Sequence, residues 1–64
     1  MTTEGDREWY PGDDRSSFAA AAVKAVENAE RVLEEPYPTE YDVRLQVLAE
    51  GPLSGYRVLI SPNP

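Results

Sequence analysis

A chain of 64 residues without cysteine or histidine has no disulfide, no tetrahedral zinc set and no thiol or imidazole for nucleophilic or general-base work. Twelve Asp and Glu against six Lys and Arg leave a net charge of −6, which repels phosphate backbones and argues against a nucleic-acid partner. A domain this small buries only about 60% of its unfolded surface, and of the usual supplements to so thin a core only oligomerisation is left.

Residues 1–6 are polar and acidic and are expected to be disordered. They hold no apolar run for a secretory signal, and no stretch of the chain approaches the ~18 apolar residues of a membrane span, so the sequence predicts a cytoplasmic protein with no membrane partner. Trp9 and Tyr10 are the first residues with anything to bury. Adjacent large aromatics call for a partner, which predicts a short edge strand over residues 7–10 that stops at Pro11-Gly12.

One helix is predicted over residues 16–35. Asp13, Asp14, Ser16 and Ser17 offer caps, the run Phe18-Ala19-Ala20-Ala21-Ala22-Val23 has high helix propensity, and Pro36 closes the element. Phe18, Ala22, Ala25, Val26, Ala29, Val32 and Leu33 recur at three and four residues and draw an apolar stripe made mostly of alanine. Small side chains bury little area each, so such a stripe suits close packing on a sheet rather than a deep core. Tyr41, Val43, Leu45, Val47 and Ala49 then alternate with Asp42, Arg44, Gln46, Leu48 and Glu50, and Tyr56, Val58 and Ile60 alternate with Arg57, Leu59 and Ser61. These periods of two predict antiparallel strands over 41–50 and 55–61, joined by a Gly51-to-Gly55 turn.

The fold class is therefore α+β: residues 1–64 form one domain with a single helix packed on a small antiparallel sheet, in the order β-α-β-β. The apolar rows are expected to face the helix. Leu48 and Leu59 fall on the other face beside Arg44, Gln46 and Arg57, and a sheet with open edges and a mixed reverse side predicts a homo-oligomer.

Asp13-Asp14 and Glu34-Glu35 are the paired carboxylates. Neither has the spacing of a calcium loop; the first pair reads as helix capping and the second as a solvated helix end. No metal site and no catalytic residue is predicted. Trp9, Tyr10, Tyr37, Tyr41 and Tyr56 read chiefly as core and interface anchors, with a stacking platform for a planar ring as the other reading.

The order of elements, the stretch from Ser16 to Ala29, and the stretches Tyr41-Asp42-Val43 and Gly55-Tyr56-Arg57-Val58 resemble the dodecins, small proteins whose helix lies across a curled three-stranded sheet. The resemblance spans Trp9 to Pro62. It implies a dodecameric, non-enzymatic assembly that stores or buffers a flavin or a similar planar ligand. Tyr41 matches the aromatic that follows the family's flavin-stacking tryptophan, and Glu40 occupies the tryptophan's own position. On this reading Tyr37, Tyr41, Arg44 and Gln46 are the candidate ligand-binding residues. From a different class, the charge of −6 and the acidic helix face suit a small interaction module that docks on a basic protein partner.

Overall fold

A computed structural model describes residues 7–51 and 54–63 of the chain. The elements follow in the order β1 (Tyr10–Asp14), α1 (Phe18–Val32), β2 (Tyr41–Leu48) and β3 (Gly55–Pro62). The three strands form one antiparallel sheet in the spatial order β1-β3-β2, so the last strand is central and both edges come from earlier in the chain. The α+β class with one helix on a small antiparallel sheet is thus the observed architecture. The segment 1–6 lies outside the described residues.

Why the helix starts and stops where it does is visible in its ends. Ser17 is the N-cap, extended in backbone, and its Oγ accepts from Ala20 N at 3.0 Å. Ahead of it, Asp14 Oδ2 accepts from the backbone N–H of Ser16 at 2.8 Å and of Ser17 at 3.3 Å, and also from the Ser16 hydroxyl. At the far end Leu33 turns extended while its N–H still donates to Ala29 O at 2.9 Å. The helix is therefore shorter than the predicted 16–35. Leu33 leaves the spiral to pack against the core, and Glu34 and Glu35 would add negative charge to a helix end that is already negative. Pro36 and Pro38 disfavour helical backbone at the residues before them, and the Glu35–Pro36 peptide is cis.

Ala21, Ala25 and Ala29, one turn apart, are fully buried, and with Tyr10, Val58 and Ile60 they make up the core. The alanines bring the helix backbone down onto the sheet at Gly12. A Cβ at Gly12 would lie 2.2 Å from Ala25 N and 2.3 Å from Ala21 O. Phe18 and Tyr56 close one end of this layer with ring centroids 4.7 Å apart and planes tilted at 56°.

The first strand differs from the 7–10 prediction. It begins at Tyr10 and runs through Pro11 and Gly12, the two residues expected to end it. Both have a physical reason to be there: at position 12 a side chain would run into the helix backbone, so only glycine fits, and Pro11 stands on an edge strand, where a missing N–H breaks no ladder bond. The second strand stops at Leu48 rather than residue 50, and the third extends to Pro62. Of the connecting turn, Gly51 has a left-handed φ of 52° and its carbonyl accepts from Ser54 N at 3.3 Å. Residues 52–53 lie outside the described residues.

The Asp13-Asp14 pair divides its work. Asp14 holds the helix entry and pairs with Lys24 Nζ at 2.9 Å, whereas Asp13 faces the opposite side of the sheet and makes two bonds to its cross-strand partner Arg57, at 2.8 and 3.0 Å. Asp13 is thus a cross-strand ion pair and not a cap. Hydrogen bonds from Ser16, then from Lys24, hold the Asp14 carboxyl well below its ordinary 3.8. A carboxyl depressed in the folded state stabilises the protein fully above its unfolded value, and that contribution is lost as pH falls from there through the folded value. Urea midpoints recorded from about pH 6 to about pH 2 should therefore fall more steeply in the parent protein than in Asp14→Asn, which starts lower and changes less. Parallel curves would show that Asp14 does not carry the acid sensitivity.

Candidate functional site

The helix lies over β1 and β3 and barely touches β2. Cross-strand partners share a face, so Val43, Leu45 and Val47 stand on the helix side, opposite Ile60, Val58 and Tyr56. Ile60 and Val58 are buried and Tyr56 is half-buried, yet Val43, Leu45 and Val47 are 53%, 60% and 66% exposed. The expectation that both apolar rows of the hairpin face the helix holds for β3, while the β2 row lies on the helix side without being covered. The reason is width: an alanine-faced helix seated on Gly12 spans two strands and leaves the third bare.

The same three residues also carry open backbone. Asn63 N donates to Glu40 O at 3.2 Å, directly opposite in register, which makes that a hydrogen-bonded pair. Antiparallel ladders alternate, so Asp42, Arg44, Gln46 and Leu48 turn their N–H and C=O groups toward β3. Tyr41, Val43, Leu45 and Val47 turn theirs outward. The opposite edge is treated differently. By the same alternation Pro11 points outward from β1, where it presents no N–H, and its carbonyl accepts from Asn28 Nδ2 at 3.2 Å. One edge of the sheet is blunted; the other offers eight residues of strand with an apolar row above it.

One end of the reverse face, around Ser61, Asp42 and Arg44, is covered by the chain's own N-terminal segment. Both Arg7 and Arg44 place a guanidinium over the Trp9 ring, 5.0 and 4.3 Å from its centroid. Arg7 also donates to Ser61 Oγ at 3.1 Å and Pro62 O at 3.0 Å and pairs with Asp42 at 2.9 Å. Trp9 is thus not an edge-strand residue as predicted but a plate on the reverse face, and it covers surface that the sequence left to a partner. Leu48 and Leu59 are only half-exposed.

The four candidate ligand residues are divided by the sheet. Tyr41 is on the helix side, half-buried, and burial first, with Glu30 and Tyr10 adding to it, pushes its phenol above the ordinary 10.0. Arg44 and Gln46 project from the reverse face, and Tyr37 is half-buried in the segment that joins α1 to β2. Gln46 borders an open groove of about 630 Å³ with Pro11, Gly12, Asp13, Arg57 and Leu59, whose two charges are already paired to each other. The five aromatics make no common platform: Tyr10 is in the core, Tyr56 lies against Phe18, and Trp9 is on the far side. The Trp9 Nε1 and Tyr41 hydroxyl are buried without a hydrogen-bond partner among the described residues.

Among the described residues no group of three or more Asp and Glu is placed to hold a metal ion, and no helix is long and apolar enough to cross a membrane. Comparison with protein-family models, with curated proteins and with solved structures gives no match.

Proposed function

We propose that this is a cytoplasmic, non-enzymatic, dodecin-like protein that works as a homo-oligomer. The observation that carries the reading is the row Val43, Leu45 and Val47, more than half exposed beside an alanine core only one side chain deep. Three large aliphatic residues in line on a 64-residue protein are surface that a second subunit stabilises by removing it from water. A planar ligand of the flavin type belongs between subunits on this reading, because within one chain the sheet puts Tyr41 on one face and Arg44 and Gln46 on the other.

Sedimentation equilibrium and native mass spectrometry test it together. The expected result is a closed assembly, with twelve chains as the number the dodecin resemblance implies, and any extra mass on the assembly reports a retained ligand. Since each subunit carries a charge of −6, added salt should tighten the association by screening repulsion. A chain that stays monomeric up to about millimolar concentration, where even weak contacts populate, overturns the reading. In that event the acidic module on a basic partner takes its place, with a complex that salt weakens.

A further inference from the structure

The geometry points to a particular contact: β2 pairs with β2 of a second copy, antiparallel, about a two-fold axis at Leu45, so that two three-stranded sheets become one of six strands. The inference rests on the homo-oligomer proposed above and specifies which surface joins and in what register.

Three observations select a second copy as the occupant. First, only residues whose backbone groups point outward can form the hydrogen-bonded pairs of a new ladder, and on β2 these are Tyr41, Val43, Leu45 and Val47. Second, the exposed row mirrors itself. A two-fold at Leu45 sets Leu45 against its copy and Val43 against Val47, so every exposed apolar residue of the row gains an apolar partner. Third, the reverse face tolerates this register. Arg44 then opposes Gln46 and Asp42 opposes Leu48, whereas a shift of the axis to Arg44 would set two guanidiniums against each other, which is destabilising. The other edge cannot substitute, because Pro11 and Asn28 close it. A two-fold of this kind is perpendicular to the sheet and puts both helices on the same side. Between them the two apolar rows floor a trough walled by α1 of each subunit.

The contact is small beside the roughly 1,200–2,000 Å² of a standard stable interface, so dilution reverses it unless further subunits add to it.

Because the chain has no native cysteine, single cysteines report the register directly. In a hydrogen-bonded antiparallel pair the Cα atoms are about 5.5 Å apart, inside the roughly 4.4–6.8 Å span of a disulfide. Leu45→Cys should therefore cross-link to itself under mild oxidation. Val43→Cys and Val47→Cys should each cross-link poorly alone, since like positions are about 13 Å apart along the strand, and efficiently when mixed. In parallel, Val47→Pro deletes an outward N–H without touching the β2–β3 ladder, as Pro11 does on β1. It should leave the circular dichroism of the fold in place and weaken self-association more than tenfold. Self-association in which Val43→Cys links to itself, or in which Val47→Pro associates as well as the parent, overturns the edge pairing and leaves the homo-oligomer standing. A parent that is monomeric throughout overturns both.

Discussion

Gly12→Ala is expected to remove most of the protein's stability, at least about 3 kcal/mol, the upper end of the usual cost of overpacking. The size follows from what the new methyl would meet. All three of its nearest neighbours, Ala25 N at 2.2 Å, Ala21 O at 2.3 Å and Ala25 Cα at 2.8 Å, are helix backbone. A flexible side chain can swing aside; a hydrogen-bonded helix cannot, so α1 must lift as a body. Lifting it opens the whole alanine layer, because Ala21, Ala25 and Ala29 reach the sheet only by close approach and are wholly buried there. A domain of this length has about 3–10 kcal/mol in total at the usual per-residue stability. Urea or thermal unfolding at fixed protein concentration measures the loss, since the proposed self-association would add its own stability. Adding Ala25→Gly should not rescue the variant, because the clash is with backbone atoms that this second substitution retains, and a glycine inside a helix costs about 1 kcal/mol more. Rescue, or a loss below about 1 kcal/mol, would mean that the helix sits further from the sheet.

That position also marks the boundary of what the amino-acid order discloses. Periodicity located the helix and the two long strands because apolar residues recur at the spacing of each element: Val58 and Ile60 alternate with Arg57 and Leu59, and Ala25 and Ala29 of the expected stripe are buried, although Ala21 is buried beside them and Val32 is 63% exposed. The mostly alanine stripe signalled close packing as well. What it packed on was not legible, since Pro11-Gly12 has the composition of a turn and becomes a strand only through pairing with β3 and shelter under α1. Local preference for a turn loses there to tertiary contact. The same limit applies to the bare flank of β2. Tyr41, Val43, Leu45 and Val47 alternate as regularly as any buried strand, and the pattern says which residues share a face but not how far one helix reaches across it. Reach depends on β1 taking the place beside β3 and drawing α1 with it. For the ligand residues, alternation did carry usable information: Arg44 and Gln46 have the parity opposite to Tyr41, which is why the sheet separates them.

Ile60→Ala is the second large effect, expected at about 3–5 kcal/mol, in the upper part of the range for removing a buried isoleucine side chain. Ile60 is 2% exposed on the central strand, between Tyr10 on β1 and Val43 on β2. The cost of such a cavity depends on whether the surroundings collapse into it. Here the roof is alanine, whose methyls are fixed to helix backbone and cannot turn inward, and Gly12 on the neighbouring strand already sets the closest approach. Ile60→Val, which removes one methylene, should cost only about 0.5–1.5 kcal/mol. The cross-strand partner gives the contrast. Val43 is 53% exposed, so Val43→Ala in the dilute monomer should stay within about 0.5 kcal/mol of the parent, as surface substitutions do. As protein concentration rises into the range of the proposed self-association, the Val43→Ala deficit should grow while the Ile60→Ala deficit keeps its monomer value as a floor. Equal and concentration-independent losses at the two positions would mean that Val43 is buried within its own chain, and with that the uncovered flank of β2 would lose its claim to a partner.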